Sequence, residues 1–280
     1  MTDNRPWLAH YPNGIPANID VDAYATLADL LEETFNKYPN KPAFACMGKT
    51  LTFRQIDKLS AQFGAYLQSR GLEVGDKIAL MMPNLLQYPI ALFGALRAGL
   101  VVVNTHPLYA PREMHRQVTG SGVQAIVKAE SVPKHLLQNT VNFKEALSQG
   151  KKFQLRRHQG TPDEVILLQY TGGTTGLSKG AMLTNQNLVA NMQQIRAAML
   201  PFLEVEKEIA ISPHPMYHIF AFTGNSLALM SIGTLTVLIV NPRDLSTIVK
   251  AFKDYPITLM TGVNTLFNGL VNNEAFKALD

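Results

Sequence analysis

Short, almost uninterrupted apolar runs alternate with longer runs of helical period through most of this chain, and that alternation narrows the fold to one class. "DKIALMMP" (residues 76–83), "LVVVN" (100–104) and "DEVILLQY" (163–170) carry apolar side chains at both odd and even positions. A strand with one face in water alternates apolar with polar residues, so strands apolar at both parities are covered on both faces, as in parallel sheets with crossover helices. Between such runs, "RQIDKLSAQFGAYLQSRG" places Ile56, Leu59, Phe63, Tyr66 and Leu67 at helical spacing and closes at Gly71. "LLQYPIALFGALRAG" reads as a buried helix ending at Gly99 with Pro89 inside it or at its start, and "PREMHRQVTGSGVQAIV" as one more helix and strand. "KPAFACMGKTLTF" reads as two short strands around a turn at Gly48 and Lys49. The expected class is α/β, with layered sheets, flanking helices and ligands at the carboxyl ends of the strands.

Two stretches break the pattern. From residue 128 to residue 160 the texture loses periodicity, and "KKFQLRRHQG" reads as a solvated charge run on a surface connection rather than a binding patch. "LALMSIGTLTVLIV" (227–240) is apolar over only fourteen residues and broken by Ser231, Gly233, Thr234 and Thr236, too short to span a bilayer; it reads as a buried helix end followed by a strand. The opening residues lack the basic start and apolar run of a signal peptide, and one cysteine, Cys46, cannot make an internal disulfide. A reduced, cytoplasmic setting is expected. The formal charge of +4 favours anionic ligands or lipid headgroups weakly.

Function is concentrated where "DEVILLQY" runs into "YTGGTTGLSKGAM" (170–182). Four glycines (Gly172, Gly173, Gly176, Gly180) let backbone N–H groups turn inward, four hydroxyls (Thr171, Thr174, Thr175, Ser178) add donors without bulk, and Lys179 supplies a cation. The expected ligand is a polyphosphate. The P-loop pattern is not met, because Ser178 precedes Lys179 and Gly180 follows it.

"QYTGGTTGLSKGAMLTNQNLVAN" (169–191) resembles the phosphate-binding signature of adenylate-forming enzymes, which include acyl-CoA synthetases, firefly luciferase and peptide synthetase adenylation domains. The likeness continues, in order, through "ALMMPNLLQYPIALFGALRAG", "VVNTHPLYAPREM", "MYHIFAFT", "NPRDLSTIVK" and "TGVNTLFNGLVNN", and is greatest to bacterial long-chain fatty acyl-CoA ligases. The resemblance implies that ATP, with Mg²⁺, converts a long-chain fatty acid to acyl-AMP, and that the acyl group then passes to coenzyme A. It implies that Thr171, Gly172, Gly173, Thr174, Thr175, Gly176, Ser178, Lys179 and Gly180 hold ATP phosphates, with Thr171 also near the metal. Lys179 and His218 become the candidate catalytic residues, and Tyr217, His218, Phe222, Gly262 and Val263 the acyl- or CoA-proximal ones. No nucleic-acid partner is implied, and membrane contact is expected to be weak and peripheral, at the inner face of the cell membrane.

The same resemblance implies a division into a first α/β subdomain, residues 1–160 with a shortened connection, and part of a second, residues 161–280. Relatives carry an adenine-binding segment and a small C-terminal domain with a lysine used in adenylation beyond the position of residue 280. The expectation is therefore an incomplete N-terminal region of a fatty acyl-CoA ligase, impaired when alone, with a non-catalytic nucleotide- or acyl-binding fragment or a gene remnant as the alternative.

Overall fold

In the computed structural model, which describes residues 5–128, 140–141, 143–171 and 179–279, the apolar runs form two sheets. The strands are β1 (Pro42–Cys46), β2 (Lys49–Thr52), β3 (Lys77–Met81), β4 (Val101–Asn104), β5 (Ala125–Lys128), β6 (Thr140–Val141), β7 (Val165–Thr171), β8 (Lys179–Thr184), β9 (Ile209–Ser212), β10 (Leu235–Leu238) and β11 (Leu259–Met260). The helices are α1 (Leu27–Lys37), α2 (Phe53–Ser69), α3 (Gln87–Arg97), α4 (Pro111–Ser121), α5 (Phe143–Gly150), α6 (Asn185–Met199), α7 (Ile219–Thr223), α8 (Leu245–Asp254), α9 (Asn264–Val271) and α10 (Glu274–Lys277). One sheet has the order β11-β9-β10-β1-β2, the other β6-β5-β3-β4-β7-β8. Pairing is parallel except at one edge of each sheet, where β2 and β8 close antiparallel hairpins with β1 and β7.

The two-parity apolar pattern is explained by what covers each face. On β3, Ile78 and Leu80 enter the main core, whereas Ala79 and Met81 pack with Met114 of α4 on the opposite face. On the other sheet, Phe44 and Leu238 point into the main core, while Ala45 and Val237 meet Ile248 of α8 and Leu270 of α9. The main core also holds Leu31 of α1, Phe63 of α2 and Phe93 of α3, so these helices lie between the sheets. Position explains α3: every residue from Tyr88 to Arg97 is buried, as expected for a helix apolar on all sides, and Pro89 is its third residue. Hydroxyls set the starts of three helices, with Thr26, Thr52 and Thr184 capping α1, α2 and α6 in reciprocal capping boxes.

A division at residue 160 does not separate the sheets. β7 and β8 follow that point yet pair beside β4, and β1 precedes it yet pairs with β10. Parallel strands need crossover connections, so neighbours in a sheet need not be neighbours in sequence.

The described parts of residues 128–160 are also more structured than their composition suggests. Phe143 of α5 stacks on Phe63 of α2 with ring centroids 5.1 Å apart. A Cβ on Gly150 would lie 2.0 Å from the Gln62 carbonyl oxygen, which accounts for glycine there. Further on, Gln68 bonds both the N–H and the C=O of Arg156 (3.0 and 2.7 Å), and the His158 N–H reaches the Arg97 carbonyl at 3.0 Å. Arg157 pairs with Asp29 and, at 2.9 Å, with Glu32. The basic run is a strap over the helix ends, because Arg157 finds its carboxylate partners more than a hundred residues away, which no local pattern reveals. "LALMSIGTLTVLIV" behaves as expected: a π-helical stretch Gly224–Leu229 and a short 3-10 turn Met230–Ile232 precede β10.

Candidate functional site

β7 and β8 pair in register, with Thr171 opposite Lys179 and Tyr170 opposite Gly180. The glycine-rich sequence is thus the connection of a hairpin at the carboxyl end of a parallel strand. Gly172, Gly173, Thr174, Thr175, Gly176 and Ser178 lie outside the described residues. Lys179 is exposed, and a Cβ on Gly180 would sit 3.0 Å from the Tyr170 ring, so glycine lets that ring close over the hairpin.

The neighbouring segment follows β9 and reads Pro213-His214-Pro215-Met216-Tyr217-His218. A chain of buried amides and one phenol from the other sheet holds it. Asn84 Nδ2 donates to the carbonyls of Ser212 (3.1 Å) and His214 (2.7 Å), and its Oδ1 accepts the Met216 N–H at 2.7 Å. The fully buried Tyr88 shares its hydroxyl proton between Asn104 Oδ1 (2.7 Å) and the Met216 carbonyl (2.9 Å). Burial pushes the Tyr88 phenol far up in pKa, with the Asn104 hydrogen bond pulling the other way, so it stays a neutral donor. Asn104 Nδ2 donates to Gln169 Oε1 at 3.1 Å, and Gln169 Nε2 to the Tyr217 carbonyl at 3.3 Å. Gln169 precedes Thr171 by two residues and Tyr217 immediately precedes His218. One side chain therefore ties the strand before the glycine-rich connection to the histidine segment.

His218 caps α7, its Nδ1 accepting the Phe220 N–H at 3.3 Å. In the neutral ring that leaves the proton on Nε2, on an exposed side chain. Two further residues at this end of the sheets, His214 and His106, were not singled out by sequence reasoning as site residues. His214 stacks near His218 with centroids 6.4 Å apart and meets Phe220 edge-on at 5.1 Å. Burial first, then the His218 charge, lowers its pKa, and its Nε2 is buried with no partner among the described residues. His106, just past β4, lies 5.1 Å from the Tyr217 ring and 5.4 Å from that of Tyr109. Burial and then the Arg243 guanidinium lower the His106 pKa, whereas burial raises that of the Tyr217 phenol. The missed signal was positional: "NTHP" and "HPMYH" stand immediately past the carboxyl ends of parallel strands.

The remaining candidates fall around this segment. Phe222 is fully buried in the main core. Gly262 and Val263 lie between β11 and α9, where a Cβ on Gly262 would be 3.1 Å from the Phe267 ring and Val263 is exposed. Just before them, Thr261 Oγ1 donates to Asn225 Oδ1 (3.0 Å) in the π-helical stretch that follows α7. Through Gln169 the strand that ends at Thr171 is tied to the backbone of Tyr217, and through Thr261 the Gly262 turn is tied to the π-helical stretch after α7. Among the described residues no three His, Cys, Asp or Glu side chains are grouped to hold a metal.

Residues 31–280 match the family described as AMP-binding enzyme. The chain belongs to that family. It is 42% identical, over 99% of its length, to a long-chain-fatty-acid–CoA ligase of Escherichia coli O6:H1, and 30% identical over its whole length to one of Bacillus subtilis strain 168. It spans 57% of the length of each of these relatives. The Escherichia coli match runs over 321 positions against 280 residues, so the relative has at least 41 positions within the matched region that this chain lacks. Among solved structures, a long-chain-fatty-acid-CoA ligase from Archaeoglobus fulgidus superposes with a TM-score of 0.80 at 21% identity, covering 94% of this chain and 56% of that one. The o-succinylbenzoate CoA synthetase of Bacillus subtilis, in complex with its acyl-adenylate intermediate, gives 0.76 at 19% identity, over 89% and 66%. Both share the fold.

Proposed function

We propose that the protein to which this chain belongs activates long-chain fatty acids: a carboxylate oxygen attacks the α-phosphorus of ATP, pyrophosphate leaves, and the coenzyme A thiol then displaces AMP from the acyl carbonyl. The observation that carries this reading is the 42% identity to long-chain-fatty-acid–CoA ligases over 99% of the chain, and the Gln169 link between the phosphate hairpin and the His218 segment is consistent with it. Joining two anions demands charge neutralisation and alignment above all. Lys179 is suited to the first, as an exposed cation where the hairpin resumes. Residues 171–178 would supply backbone and hydroxyl donors to the β- and γ-phosphates, and Mg²⁺, when bound beside Thr171, would neutralise phosphate charge. His218, with Nδ1 engaged, offers Nε2–H to the acyl carboxylate or adenylate. Tyr217 is a wall of that site, and Gly262 and Val263 border the acyl or pantetheine chain. Phe222 could touch the acyl or pantetheine chain only if its ring left the main core, where it is fully buried.

Calorimetry with a non-hydrolysable palmitoyl-adenylate should show binding that His218→Ala weakens about tenfold or more, the loss of a hydrogen bond to a charged group. Equal affinity for adenylates of acetate and of palmitate would overturn the long-chain assignment. Any membrane association is peripheral under this reading, at the cytoplasmic face: no helix among the described residues is long and apolar enough to cross a bilayer. Flotation with anionic vesicles should therefore be lost between about 0.1 and 1 M salt, as the Debye length falls from about 10 to 3 Å. Retention at high salt would show that apolar insertion, not charge, holds the protein there.

A further inference from the structure

A cleft of about 360 Å³ opens at the other end of the second sheet, where β3, β4 and β7 begin. Its volume is within the range of small-molecule sites. With β7 seven residues long, it lies roughly 20 Å from the phosphate hairpin at about 3.3 Å per residue. Leu96, Val101, Val165, Ile166, Leu168 and Met182 form its walls. Val74 and Met182 are 56% and 69% exposed, so apolar surface is left facing the opening.

The charges around the cleft are unequal. His158 and Glu164 bond each other at 2.7 Å. The Lys77 ammonium, by contrast, has no hydrogen-bond or ion-pair partner among the described residues. The turns that frame the opening depend on missing side chains: a Cβ on Gly99 would meet the His158 ring at 2.8 Å, and one on Gly160 would meet Thr26 Cγ2 at 2.9 Å. Apart from the imidazole of His158 no aromatic ring lines the space, so nothing is arranged to stack on a base.

We propose that this cleft is a second binding site, separate from the strand-end site, for an aliphatic chain ending in an anionic headgroup. Apolar walls take the chain by the hydrophobic effect, and the unpaired Lys77 takes the head. An anionic head would give the Lys77 ammonium, which stands near Gly122 at the end of α4, the partner it lacks among the described residues. The argument rests on the walls and on Lys77, and holds whichever substrate the strand-end site accepts.

The test uses dodecanoate carrying a diazirine at its far end, irradiated with the whole protein and located by peptide mass spectrometry. Cross-links are expected on residues 74–77, 99–101 or 165–168, apart from any at residues 217–223 and 261–263. Met182→Glu changes an exposed side chain and should cut the basal cross-link at least about tenfold while leaving strand-end cross-links as they were. Lys77→Gln should weaken competition by unlabelled dodecanoate about tenfold, the lower value for a lost charge-assisted bond, and leave competition by dodecanol unchanged. Absence of basal cross-links, equal labelling in Met182→Glu, or dodecanol competing as well as dodecanoate in the wild type would each overturn the proposal. Failure of the fatty-acid reading of the strand ends would show instead as missing cross-links at residues 217–223 and 261–263.

Discussion

At the scale of single residues, the strand-end site is built from side chains with unequal tasks. Lys179 is exposed at the start of β8 and packs against nothing that would unfold when it is shortened. Lys179→Ala is therefore expected to lower affinity for ATP or pyrophosphate by about tenfold to a hundredfold, the value of a charge-assisted bond of about 1.5–3 kcal/mol. Calorimetry measures the loss, with unchanged circular dichroism as the check on folding. His214 has a different role, since it carries the cost of a half-buried imidazole. Its folded pKa lies below the ordinary value of 6.5, so below that pH the unfolded chain binds the proton first. Stability from this ring is complete above the unfolded pKa and falls as pH drops toward the folded one. His214→Phe keeps a ring against Phe220 and removes the titration. The decrease in urea midpoint between about pH 7 and 5 should become smaller in this variant, with the remaining decrease shared by His106, whose pKa is lowered in the same direction. An unaltered slope would show that the His214 ring is solvated in the folded protein.

At the scale of elements, α2 and α3 cross where neither has a side chain. A Cβ on Gly94 would lie 2.6 Å from the Ser60 carbonyl oxygen, and one on Gly64 would lie 2.6 Å from that of Gly94. Both obstacles are backbone, which cannot rotate away as a side chain does. Gly94→Ala gains up to about 1 kcal/mol in helix propensity, yet overpacking of about 1–3 kcal/mol should outweigh it. The expected outcome is a lower urea midpoint. Gly120→Ala in α4 is the control: its Cβ would meet nothing within 4 Å, so the propensity gain should appear as a neutral or raised midpoint. If both substitutions stabilise, the crossing is looser than these distances imply.

At the scale of the whole molecule, the strap of residues 151–160 adds hydrogen bonds and ion pairs to helices that already share one core. Arg157 meets Asp29 and Glu32 of α1, and Glu32 also faces Arg97, whose guanidinium bonds Asp57 of α2 at 2.8 Å. These groups are partly exposed, so solvent screening limits each pair to about 1 kcal/mol or less. Arg157→Ala should cost about that much in global stability, because Asp29 keeps its place in the α1 capping box. Its larger effect should be local, as faster cleavage by trypsin at Lys151, Lys152 or Arg156. Equal cleavage in wild type and variant would mean that the Gln68 bonds to Arg156 hold the strap without the ion pairs.

What the sequence determined by itself was whatever a short window encodes. Two-parity apolar runs dictated buried parallel strands, the 3–4 spacing of Ile56, Leu59, Phe63 and Leu67 dictated α2, and the run of glycines and hydroxyls ending at Lys179 marked the connection between β7 and β8. Each of these depends on period or composition within a few residues, which the chain displays directly. Tertiary structure alone decided which strands share a sheet, that Gln169 holds Tyr217, and that His106 and His214 stand beside the residues marked for chemistry. It also turned a basic run into a strap and placed Phe222 in the core. Most of those outcomes rest on contacts between distant residues, from 24 positions apart for Lys77 and Val101 to 192 for Phe44 and Thr236, where hydrogen-bond geometry and burial choose the partner and no local pattern records that choice.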